Sequence, residues 1–120
     1  MTEYKLGAVE SRFADIVWQN APLTTGELVK RCACELQWKR TTTYTVLKKL
    51  GEKGLFRLEN GVVYVCLSRD DYYAAQSEKY VEETFDGSLP AFLAAFTRNK
   101  TLRAEEIAEI RRMIDEIGKG

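Results

Sequence analysis

Residues 41 to 66 read TTTYTVLKKLGEKGLFRLENGVVYVC. As far as Lys53 the spacing predicts a helix. Thr43, Val46, Leu47 and Leu50 form an inner stripe, and Thr41, Tyr44, Thr45, Lys48 and Lys49 fall on the outer arc. Gly54 stands where such a helix would end. Residues 55–59 and 62–66 are then β-prone runs separated by Asn60-Gly61, the pair that best suits a tight hairpin turn.

Towards the N-terminus, Val9, Phe13, Ile16 and Val17 make one apolar stripe on a helix over 8–20, which Asn20-Ala21-Pro22 interrupts. Thr24 or Thr25 can cap a second helix in which Leu28, Val29, Cys32 and Leu36 share a side. Three helices followed by a hairpin predict a mostly α, winged helix-turn-helix domain over residues 1–68.

Beyond Ser68 the period is helical again. Tyr73, Ser77, Tyr80, Val81, Thr84 and Phe85 recur at spacings of three and four, and Asp70 and Asp71 suit the first turn of that helix. Asp86-Gly87-Ser88 breaks the chain. Leu89, Phe92, Leu93 and Phe96 then stripe a short helix that tolerates Pro90 in its first turn, and Ile107, Ile110, Ile114 and Ile117 stripe a last one from about Arg103. Three amphipathic helices of this size leave too much apolar surface for one copy to cover, so residues 69–120 read as a dimerisation arm. Its contact residues would be Tyr73, Ser77, Tyr80, Val81, Phe85, Leu89, Phe92, Leu93, Phe96, Ile107, Ile110, Ile114 and Ile117.

The 120 residues carry no net formal charge, but residues 1–68 hold a net +3 and residues 69–120 a net −3. Lys39, Arg40, Lys48, Lys49 and Lys53 lie within 15 positions that contain one acid, Glu52. Such a cluster is the footprint of phosphate contact. No run approaches the roughly 18 apolar residues of a membrane span, and the start Met1-Thr2-Glu3-Tyr4-Lys5 does not resemble a secretory signal. The expected compartment is the cytoplasm. Three cysteines, an odd number, suit that reducing setting.

In a winged helix the third helix enters the major groove, where Thr hydroxyls address base edges and Thr methyls meet thymine. Thr41, Thr42, Tyr44 and Thr45 are candidates for that work, with Lys39, Arg40, Lys48 and Lys49 on phosphates and Asn60 and Gly61 at the wing tip. Thr24 and Thr25 could also present helix-terminal amides to a phosphate, but capping alone is the favoured reading of both. Cys32 and Cys34 sit two apart on a helix, about 200° around its axis, so they cannot grip one ion. With no histidine, no glycine-rich phosphate loop and no nucleophile beside a base, an enzyme is not expected, nor is any cofactor or metal. Fold alone leaves open a winged helix that binds protein or RNA instead.

Leu6, Glu10 and Phe13-Ala14-Asp15-Ile16-Val17-Trp18, followed by Trp38, Thr42, Thr45, Leu47, Lys49, Leu50, Lys53 and Gly54, resemble the penicillinase repressor (BlaI/MecI/CopY) family almost end to end. The resemblance implies a homodimeric transcriptional repressor on a palindromic double-stranded operator, controlling antibiotic-resistance or stress-response genes. It also implies release when a membrane sensor and protease pathway cuts the C-terminal arm. The family's Asn-Phe cleavage bond falls at Ala95-Phe96 here, so the pair departs from the pattern. The cysteine hook of copper-responsive members has no counterpart, since no cysteine follows Cys66.

Overall fold

The computed structural model describes residues 6–119; the polar start, residues 1–5, lies outside them. Helices α1 (Ala8–Asn20), α2 (Thr25–Leu36) and α3 (Arg40–Glu52) precede strands β2 (Phe56–Glu59) and β3 (Val62–Val65). Helices α4 (Arg69–Phe85), α5 (Leu89–Phe96) and α6 (Ala104–Lys119) follow. The mostly helical winged-helix class anticipated from the sequence is the one observed. A two-residue strand, β1 (Leu23–Thr24), was not anticipated. It pairs antiparallel with β3, giving the sheet order β1-β3-β2. Two residues carry no alternation from which a strand could be read.

The chain divides into two compact units between Ser77 and Glu78, inside α4 rather than at its start, where the 68/69 boundary was expected. The reason is aromatic. The Trp18 ring lies 5.8 Å from those of Phe56 and Tyr72 and 6.2 Å from Tyr73, so the first turns of α4 belong to the winged helix. Its indole N–H donates to the Leu67 carbonyl at 2.9 Å. The backbone N–H of Leu6 donates to the buried Tyr72 hydroxyl at 3.0 Å.

The core of the first unit is built from Phe13, Ala14, Ile16 and Val17 of α1, Leu28, Cys32 and Leu36 of α2, and Thr43, Leu47 and Leu50 of α3. The sheet adds Leu23, Phe56 and Val63. Trp38 stacks on Phe13 at 5.6 Å, so both tryptophans serve packing. Val9 departs from the stripe assigned to it: it is 51% exposed, and Ala14 takes the buried place on α1. At the hairpin, Asn60 and Gly61 both have positive φ, 52° and 76°, the pair of values a type I′ turn requires.

In the second unit, Ser88 caps α5 by accepting the Ala91 N–H at 3.1 Å. The ring of Phe92 lies 5.7 Å from Phe85 and 6.1 Å from both Tyr80 and Phe96. Neither α5 nor α6 contains a fully buried residue.

Two substitutions test the core of the first unit. Phe56→Ala should lower its unfolding free energy by about 3–5 kcal/mol. Tyr72→Phe should cost about 1–3 kcal/mol, because it leaves the Leu6 amide without that acceptor. Urea unfolding followed by tryptophan fluorescence measures both.

Candidate nucleic-acid interface

Thr43, Leu47 and Leu50 face the core, and this fixes what the rest of α3 presents. At about 100° per residue, Thr41, Thr45 and Lys48 point directly away from that stripe, with Glu52 in line behind them. Thr42 and Lys49 lie on one flank and Tyr44 on the other. Thr41, Thr42, Thr45, Lys48 and Lys49 are exposed, and Tyr44 is half-buried.

The Thr45 hydroxyl donates its proton to the Thr41 carbonyl at 2.9 Å. What it offers outward is a lone pair and a methyl group, suited to a base amino group or a thymine methyl. Lys39 stands at the N-cap position of α3 without a side-chain capping bond, and the Arg40 guanidinium lies 5.5 Å over the Tyr44 ring.

An open, mainly apolar groove of 530 Å³ separates α3 from β2, lined by Tyr44, Leu47, Lys48, Gly51, Phe56, Arg57 and Leu58. A Cβ at Gly51 would meet the Phe56 carbonyl oxygen at 3.4 Å, an ordinary contact. The wing tip, Asn60-Gly61, is exposed. Arg57 joins this face although the sequence reading passed over it. It is exposed, 4.4 Å over the Tyr64 ring and 3.5 Å from Glu59. Its outward position on a half-buried strand was the signal that could have found it.

Two candidates are committed elsewhere. Lys49 Nζ lies 2.6 Å from a carboxylate oxygen of Glu10, and Lys53 Nζ lies 4.0 Å from the other oxygen. At α2 it is Thr24 that caps, accepting the Glu27 N–H at 3.1 Å, while the Thr25 N–H donates to the Gly61 carbonyl at 3.0 Å. The Thr25 amide therefore holds the wing turn to α2. Cys32 is buried, which pushes its thiol pKa up, and Cys34 and Cys66 are exposed.

In the second unit, Tyr80, Leu89, Phe96, Ile107, Ile114 and Ile117 are exposed, the last at 75%, and Val81, Phe85, Phe92, Leu93 and Ile110 are half-buried. Met113, 51% exposed, lies beside Ile110 and Ile117 on α6 and extends the isoleucine stripe. Tyr73 does not join them. Its ring is 5.1 Å from Tyr72 and 6.2 Å from Trp18, within the first unit. Ala95 and Phe96 form the last turn of α5. No helix among the described residues is long and apolar enough to cross a membrane.

Three helices, a β wing and an exposed threonine-lysine arc on the third helix define a winged-helix domain of the DNA-binding kind. Residues 6–116 match the family model described as Penicillinase repressor. The chain is also 25% identical over 116 residues to the penicillinase repressor of Bacillus licheniformis, an alignment covering 93% of this chain and 91% of that one. The chain belongs to the penicillinase repressor family; it is a transcriptional repressor and not an enzyme.

The Glu10 pair carries a pH signature. The Lys49 ammonium, hydrogen-bonded to Glu10, holds this carboxyl below its usual range despite an opposing effect of burial; the Gly7 amide adds to the lowering. A depressed native pKa stabilises the fold at pH values above the usual carboxylate range, and that stability is lost as acid protonates the native group. Glu10→Gln should therefore be less stable near neutrality by at most about 1 kcal/mol, since Lys49 is solvent-exposed. The two proteins should converge in stability as the pH falls below the usual carboxylate range and through the lower native value, which urea unfolding across pH measures.

Proposed function

We propose that the chain represses transcription as a homodimer on a palindromic operator, with α3 in the major groove of each half-site. The observation that carries this reading is the outward arc of Thr41, Thr45 and Lys48, bordered by Tyr44 and backed by the wing. Thr42 reaches the same groove from the flank. Lys39, Arg40, Lys48 and the newly added Arg57 act on phosphates, which gives register and affinity; the threonines give sequence choice. Asn60 and Gly61 approach the backbone beside the groove. A two-fold dimer would set its half-sites about one helical turn, roughly 34–36 Å, apart.

Support for the dimer comes from the second unit. A 16-residue helix whose apolar stripe is exposed gains little from its own chain, and a second copy supplies the missing partner. Cleavage after Ala95 would detach α6 with its whole isoleucine stripe, so proteolysis there would release the operator by dissolving the dimer. The place of action is the cytoplasm, where the operator lies.

Two outcomes follow. In titrations of duplexes from the chain's own upstream region and of scrambled duplexes, Thr45→Ala should reduce operator preference by about 1–3 kcal/mol. Lys48→Ala should weaken both duplexes alike and shallow the salt slope by about 0.9 per protomer. Undiminished binding in both variants would place the DNA site off this helix. Ile110→Asp should shift sedimentation from dimer to monomer and weaken operator binding together, because a charge would be buried without a partner. A variant that still sediments as a dimer contradicts the assigned interface.

A further inference from the structure

Glu10 places an anion against the element assigned to phosphate contact. Its Oε2 lies 2.6 Å from Lys49 Nζ. Its Oε1 accepts the Gly7 N–H at 3.2 Å and lies 4.0 Å from Lys53 Nζ. The side chain is only 19% exposed, and its bond to the start of α1 fixes where the carboxylate sits. Lys49 is the more exposed partner and lies on the same flank of α3 as Thr42, beside the outer arc.

We propose that Glu10 is a specificity-determining residue, an internal carboxylate that occupies the ammonium groups of Lys49 and Lys53 and keeps them off the phosphates of any duplex. This rests on the reading of α3 as the DNA-reading helix. Each lysine that engages a phosphate adds affinity for every sequence equally, by counterion release. Recruiting Lys49 to DNA would leave that carboxylate with the Gly7 amide and the more distant Lys53 alone, and the lost ion pair opposes the transfer. On the other side of the arc, Lys48 has no carboxylate within ion-pair distance among the described residues, so it remains available. The device thus limits sequence-independent attraction, and discrimination is left to Thr41, Thr42 and Thr45.

Glu10→Gln keeps an acceptor for the Gly7 amide while removing the charge. Wild type and variants are titrated with a duplex from the chain's own upstream region and with a scrambled duplex, between about 50 and 200 mM salt. Glu10→Gln should tighten binding to the scrambled duplex, lower the preference for the upstream duplex, and steepen the salt slope by about 0.9 per newly engaged phosphate. Each such contact widens the affinity change over that salt range by about 3.5-fold. Adding Lys49→Gln and Lys53→Gln to Glu10→Gln should restore the wild-type slope. In the wild-type background Lys49→Gln should leave the slope unchanged, a result that does not depend on how Glu10→Gln folds. An unaltered slope in Glu10→Gln, or a shallower one in Lys49→Gln alone, overturns the proposal while leaving DNA binding intact. A wild-type chain that binds neither duplex overturns the DNA reading and this proposal with it.

Discussion

Three side chains of α3, Thr43, Leu47 and Leu50, are held in the core by α1, α2 and the sheet, and the surface of the first unit depends on that anchorage. A helix locked along one stripe has no freedom about its own axis. Rolling it by one position, about 100°, would bury a lysine or a threonine arc and expose leucine. The azimuth of Thr41, Thr45 and Lys48 is therefore set by packing energy rather than by any contact those residues make. Trp18 supports the same arrangement from behind, touching Phe56 of the wing and Tyr72 of α4 while its N–H holds the Leu67 carbonyl.

The charges around α3 form two populations. Lys39, Arg40 and Lys48, with Arg57 from the wing, lie on the exposed side, whereas Lys49 and Lys53 are turned to Glu10. A count of cations in the sequence treats all of these as equal. In the fold, some of them join helices and the rest define a face. The C-terminal unit poses a different problem, because neither α5 nor α6 has a buried residue and much of their apolar stripe is exposed. Homodimerisation is the solution proposed for it.

Much of this was legible beforehand. The period of 41–53, the Asn60-Gly61 turn and the isoleucine spacing in α6 are local patterns, and local patterns survive into the fold. What could not be read depended on contacts distant in sequence. Glu10 meets Lys49 across 39 positions, Thr25 meets Gly61 across 36, and Tyr73 meets Trp18 across 55. Each of these reassigned a residue that its own neighbourhood had placed differently. Val9 shares the period of Phe13, Ile16 and Val17 yet is 51% exposed, because period alone does not tell which members of a stripe the fold covers.

The proposed repression turns on contact between duplex DNA and the outward arc of α3 with the wing tip. Its most direct test is to titrate the nitrogen-labelled chain with a duplex from its own upstream region and follow the backbone amide resonances. The largest shifts are expected at Thr41, Thr45, Lys48, Asn60 and Gly61, with Arg12 of α1 and Glu35 of α2 unmoved. Shifts confined to α1 and α2, or to the second unit, would contradict it.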